Sequence, residues 1–190
     1  MRYAVFLRGV NVGGRTIRMA ELRAALGTLA VSELRTLLAS GNVVCRSELD
    51  AVALRSAVEG VLREEFGYEA WVVVLEAERL AALLAACPFP ADSDQEHTYL
   101  TFTSDPAVLD ALDAAVVAVE PEAPMRRLGP EATAWTVPRG ATLASARATL
   151  SGRARFAPSV TDRNLRTVLK VASALDDLAS AEGDARHTTG

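Results

Sequence analysis

The chain has 190 residues, half of them apolar, so it can bury one large core or two small ones and is not built for wholesale disorder. Its formal charge of −4 and pI near 5.3 exclude the dominant basic field of a nonspecific nucleic-acid binder. Two cysteines, Cys45 and Cys87, cannot form a disulfide framework, and with only His97 and His187 beside them no Cys/His zinc set can be assembled.

The first residues lead straight into a strand, with no hydrophobic signal region and no apolar run of about 18 residues. The expectation is a cytoplasmic protein with reduced thiols, no membrane partner and no cofactor. Of the 20 basic residues 19 are Arg, which makes the single lysine, Lys170, conspicuous.

Tyr3 to Leu7 is a continuous apolar run, as in a central strand. It empties into Arg8-Gly9-Val10-Asn11-Val12-Gly13-Gly14, where the chain stops serving a core and presents polar groups at a sheet edge. From Met19 the spacing turns helical, with Leu22, Leu26 and Leu29 on one face. Leu34 to Ala39 reads as a second strand, Ser40-Gly41-Asn42 as a tight turn and Val43 to Cys45 as a third strand. A helix with Leu54, Val58, Leu62 and Phe66 inward ends near Gly67, and Trp71 to Leu75 is a fourth strand. The order βαββαβ is a ferredoxin-like unit.

A right-handed crossover makes the first two strands parallel, with the third antiparallel between them. The end of the first strand and the second hairpin's turn then share one edge, which gathers Arg8, Asn11, Gly13, Gly14, Ser40 and Asn42. Amides and the positive end of a helix there suit a phosphate or carboxylate. The same residues are also ordinary turn formers, and the glycine spacing matches neither a Walker loop nor a dinucleotide fingerprint.

A helix over 76–86 stops before Cys87-Pro88-Phe89-Pro90, and the stretch 87–96 reads as a linker between lobes at 1–86 and 97–178. In the second lobe Tyr99 to Thr103 alternates like a strand and Asp105 to Val119 is helical. Arg126 to Arg139 holds a hairpin, a further helix lies near 143–152, and the layout can repeat that of the first. A last helix capped by Thr161 buries Leu165, Val168, Leu169, Ala172 and Leu175. Its other face carries Arg163, Arg166 or Thr167, and Lys170, with Asn164 at its start. Residues 179–190, small and polar, read as a disordered tail.

The fold expected is therefore α+β, two ferredoxin-like lobes with antiparallel sheets and helices on one face. Several segments resemble the bacterial domain-of-unknown-function family 1697. They are Arg8 to Gly14, Met19 to Arg23, Arg35-Thr36, Ser40 to Val44, and Thr161 through Lys170. Leu165, Ala39 and Ala146 depart from the Trp, Gln and Lys common in that family. The resemblance implies a fold and positions but no reaction.

Together these readings predict a polar cleft between the lobes, lined by Arg8, Asn11, Ser40, Asn42, Arg163, Asn164, Thr167 and Lys170. A small anionic metabolite, a nucleotide among the candidates, would be clamped there by the two arginines. Lys170 is the candidate nucleophile if desolvated, although no His or paired carboxylate marks a general base. The alternatives are a nucleic-acid module, opposed by 5% aromatic content and the acidic balance, and a structural module docking through the last helix.

Overall fold

The computed structural model describes residues 1–8, 17–38, 41–67, 71–91 and 93–187, with side chains as far as residue 180. The chain forms two compact units, one of Met1–Ala81 with Lys170–Gly190 and one of Ala82–Leu169. Each contains a four-stranded antiparallel sheet with helices, so the fold is mixed α+β.

In the first unit the elements are β1 (Arg2–Leu7), α1 (Met19–Leu26), β2 (Val31–Leu37), β3 (Asn42–Ser47), α2 (Ala51–Phe66) and β4 (Val72–Glu76). The sheet order is β2-β3-β1-β4, with β3 antiparallel to both β2 and β1, as the crossover argument requires. Side chains alternate across a strand, so Tyr3, Val5 and Leu7 share one face. They meet Leu22 and Leu26 of α1 and Leu54, Val58 and Leu62 of α2 in a single core. Asp50 starts α2 by accepting the Ala53 amide at 2.8 Å, and Gly67 ends it in the left-handed conformation at φ 62°.

The opposite face is apolar too: Ala4, Phe6, Val44 and Val73 are all buried. Helices on one side cannot cover both, and the expectation of a one-sided sheet fails here. The second cover comes from the C-terminal helix α6 (Leu165–His187), whose residues from Lys170 belong to this unit. Arg2 and Arg46, cross-strand partners on that face, reach the carbonyls of Leu175 and Leu178, and Arg35 pairs with Asp177 at 3.9 Å. Val171, Ala174, Leu175 and Leu178 are buried. The expected boundary, which kept 97–178 in one lobe, is therefore displaced, and the expected tail is helical as far as His187.

The second unit runs through α3 (Ala77–Ala85, which begins in the first unit), β5 (Glu96–Thr103), α4 (Pro106–Val119), β6 (Met125–Gly129), β7 (Ala132–Pro138), α5 (Ala146–Ser151) and β8 (Val160–Asn164). Its order, β6-β7-β5-β8, repeats the connectivity of the first sheet. Leu109, Leu112 and Val116 of α4 pack with Leu150, Phe156 and Val160. The stretch expected to begin the last helix is a strand instead. Thr161 pairs with Phe102 inside β8, and the helix start falls to Asn164, whose side chain accepts the Arg166 amide at 2.9 Å.

Candidate functional site

At the carboxyl end of β1 the Leu7 amide donates to Gly41 at 2.8 Å and the Arg8 amide to Trp71 at 3.0 Å. Arg8 thus emerges, half-buried, beside Gly41 and Trp71 at the start of β4. Asn42 is fully buried, and its Nδ2 donates to the Leu37 carbonyl at 3.1 Å, which closes the hairpin. Asn11, Gly13, Gly14 and Ser40 lie outside the described residues.

The basic stripe expected on the last helix is broken by β8. Arg163 and Asn164 are successive strand residues opposite Leu100 and Tyr99, so their side chains leave opposite faces of the sheet. Arg163 donates to Thr161 Oγ1 at 2.7 Å and to the Asp162 carbonyl at 2.9 Å. Thr167 is half-buried. Lys170 is exposed, so the desolvation that would make it a nucleophile is missing.

The second unit holds a different constellation. Asp113 lies on the buried stripe of α4, four residues after Leu109 and three before Val116, where an aliphatic residue is the norm. Its Oδ2 accepts Arg127 Nη1 at 3.0 Å and Thr133 Oγ1 at 2.8 Å, and its Oδ1 accepts Arg147 Nη1. Arg147 is only 3% exposed. It projects inward from α5, on the same face as Leu150 and Ser151, because Ser145 caps that helix by accepting the Ala148 amide.

Arg147 Nε and Trp135 Nε1 each donate to Thr101 Oγ1 at 3.1 Å, and Thr101 donates to Asp162. One hydroxyl thereby uses its full capacity of one donor and two acceptors. The other Asp162 oxygen accepts Ser151 Oγ at 2.7 Å. One group is left over: Arg147 Nη2 is buried with no hydrogen-bond partner among the described residues.

Arg147 is among the residues lining a pocket of about 440 Å³, within the 300–1,000 Å³ range of small-ligand sites. Val116, Met125, Trp135 and Ala144 supply apolar wall, and Glu96 and Glu120 stand among the lining residues with exposed side chains. Trp135 is fixed from behind by a stack on Tyr99, with ring centres 4.9 Å apart. None of these residues was singled out in the sequence as a ligand group. The one available signal was Asp113, a carboxylate on an apolar helical stripe.

The two sheets with helices define an α+β protein. The structure is similar to that of the conserved bacterial protein SP0830 from Streptococcus pneumoniae, with a TM-score of 0.72 at 23% identity over 92% of this chain and 98% of that one. This likeness establishes the fold. The profile of the family described as "Protein of unknown function (DUF1697)" matches residues 1–126, and the chain belongs to that family. No curated protein matches it. Among the described residues no helix is long and apolar enough to cross a membrane.

Proposed function

We propose that this protein binds a small metabolite in the pocket of its second unit. The observation that carries the reading is a cavity of ligand size with apolar walls and the buried Arg147 among its lining residues. Asp113 and Asp162 are tied into the network described above, which leaves neither free to serve as a base in the pocket. Binding is therefore the function, with no reaction assigned.

The test is a thermal-shift panel of metabolites run on the natural chain and on Ala144→Trp. Ala144 is exposed at the wall, so the larger side chain occupies pocket space without entering the core. Hits should vanish in the variant. Hits that survive with unchanged shifts place the ligand elsewhere and defeat the reading.

A second reading concerns the first unit, favoured by the emergence of Arg8 beside Gly41 and Trp71. There a phosphate- or carboxylate-bearing metabolite would meet Arg8, with Asn11, Gly13, Gly14 and Ser40 as the sequence candidates around it. Calorimetric titration with phosphate esters at low salt should give binding that Arg8→Ala abolishes; equal binding by both chains removes this site. The strand order of both sheets supports a ferredoxin-like description. The sheet face that bears Tyr99 and Trp135 also bears the Thr101 network bound to α4 and α5, and Trp135 is only 3% exposed, which opposes base stacking by a nucleic acid. Two free thiols support a reducing, cytoplasmic setting.

A further inference from the structure

Resting on the second reading above, we infer that the metabolite at the carboxyl end of β1 carries an aromatic ring beside its phosphate or carboxylate, and that Trp71 selects it by stacking. The two tryptophans of the chain are placed differently. Trp135 is 3% exposed, stacked on Tyr99 and bonded through Nε1 to Thr101, so its ring serves the fold. Trp71 is 46% exposed, and among the described residues its indole has no ring contact and no hydrogen bond. A single exposed apolar residue is ordinary; what sets Trp71 apart is its neighbour.

Strands β1 and β4 pair antiparallel with Leu7 opposite Val72, and the bond from the Arg8 amide to the Trp71 carbonyl carries the ladder one residue further. Arg8 and Trp71 are therefore direct cross-strand partners, a relation that sets Cβ atoms about 4.5–5.5 Å apart. Leu7 and Val72 face the core beneath α1 and α2, so alternation sends Arg8 and Trp71 to the other face. The adjoining row on that face is Asn42, Phe6 and Val73, all buried. The backbone under the pair is thus fixed before any ligand arrives, and docking need not order it.

An exposed indole and a guanidinium on neighbouring strands offer contacts of different kinds. The indole accepts an aromatic ring by stacking, and the guanidinium accepts an anion by charge-assisted hydrogen bonds. Arg8 already interacts within the folded chain, but a guanidinium has five N–H donors and one partner does not exhaust them. An anion without a ring uses the arginine alone, and a ring without a charge uses the indole alone. A ring joined to an anion by a short spacer, as in an aryl phosphate or a nucleotide, engages both.

Phenyl phosphate, ethyl phosphate and phenol separate the two contacts when titrated calorimetrically at low salt. Phenyl phosphate should bind about tenfold more tightly than ethyl phosphate, the effect of one stacked ring, and phenol should bind more weakly than phenyl phosphate. Trp71→Ala should bring phenyl phosphate down to the level of ethyl phosphate, while Trp71→Phe, which keeps a ring, should retain most of the preference. Trp71 is half exposed, so both variants leave the core intact. In a nitrogen–proton spectrum phenyl phosphate should move the indole signal of Trp71 and leave that of Trp135 in place, with Trp71→Phe identifying the two.

If ethyl and phenyl phosphate bind equally and Arg8→Ala abolishes both, the anion site stands and the aromatic requirement is refuted. A preference for phenyl phosphate that survives Trp71→Ala refutes it as well. If neither ester binds, or if both bind Arg8→Ala unchanged, the anion site itself is refuted and this inference falls with it. Tighter binding of a single-stranded oligonucleotide than of phenyl phosphate would assign the indole to nucleic acid and overturn the inference.

Discussion

Replacing Asp113 by Ala isolates the energetic centre of the second unit. The Asp113 side chain is 17% exposed and that of Arg147 3%, so this is a buried pair and not a surface bridge. Deleting one partner of such a pair leaves the other charge uncompensated and costs about 3–5 kcal/mol, against 0–1 for an exposed pair. With a urea slope of about 2 kcal/mol/M, the unfolding midpoint of this unit should fall by about 2 M. In a Trp71→Phe background the fluorescence comes from Trp135 alone and follows that unit. The double variant Asp113→Ala/Arg147→Met removes both charges and should be more stable than Asp113→Ala by itself, because the orphaned cation is gone. A midpoint loss below about 0.5 M, or a double variant no better than the single one, would show that Arg147 is not held as described.

Three smaller effects follow from the first unit and the start of α6. Burial pushes the Cys45 thiol from 9.0 up to about 11, so the folded chain keeps a proton that the unfolded chain loses. Stability present below pH 9 should therefore drain away toward pH 11, by at most about 3 kcal/mol, and Cys45→Ala should flatten that part of the stability–pH curve. Gly67→Ala should cost about 1 kcal/mol through the left-handed backbone alone, since an added methyl meets nothing within 4 Å; an unchanged denaturation midpoint would contradict it. Asn164→Ala should cost about 1 kcal/mol by uncapping α6, read as faster amide exchange in its first turn.

The first unit was legible because its burial is periodic. Val5, Leu22 and Leu54 sit at strand and helix spacings, and the crossover rule orders the strands from there. The continuous run in β1 also signalled two covered faces, but nothing local names the cover. Arg2 and Arg46 find it more than 130 residues away, in α6. Strand β8 was misread because Thr161-Asp162-Arg163-Asn164 shows no apolar alternation. Its sheet-facing polar groups are satisfied by Thr101 and Ser151 across the fold, and that compensation leaves no periodic trace.

The pocket was hidden for the same reason. Arg147 is one of 19 arginines, and only its distance of 34 residues from Asp113, closed by the packing of α4 on α5, makes it different. The anionic site expected from Arg163, Asn164 and Lys170 assumed a helix where a strand stands, so the alternation of β8 divides what a helical face would have gathered.

A crystal structure of the protein soaked with the strongest hit of the metabolite panel bears on the central claim without intermediaries. The hit should lie against Trp135 and Met125 in the pocket of the second unit. A hit found only on other surfaces, with that pocket holding nothing but solvent, would contradict the account.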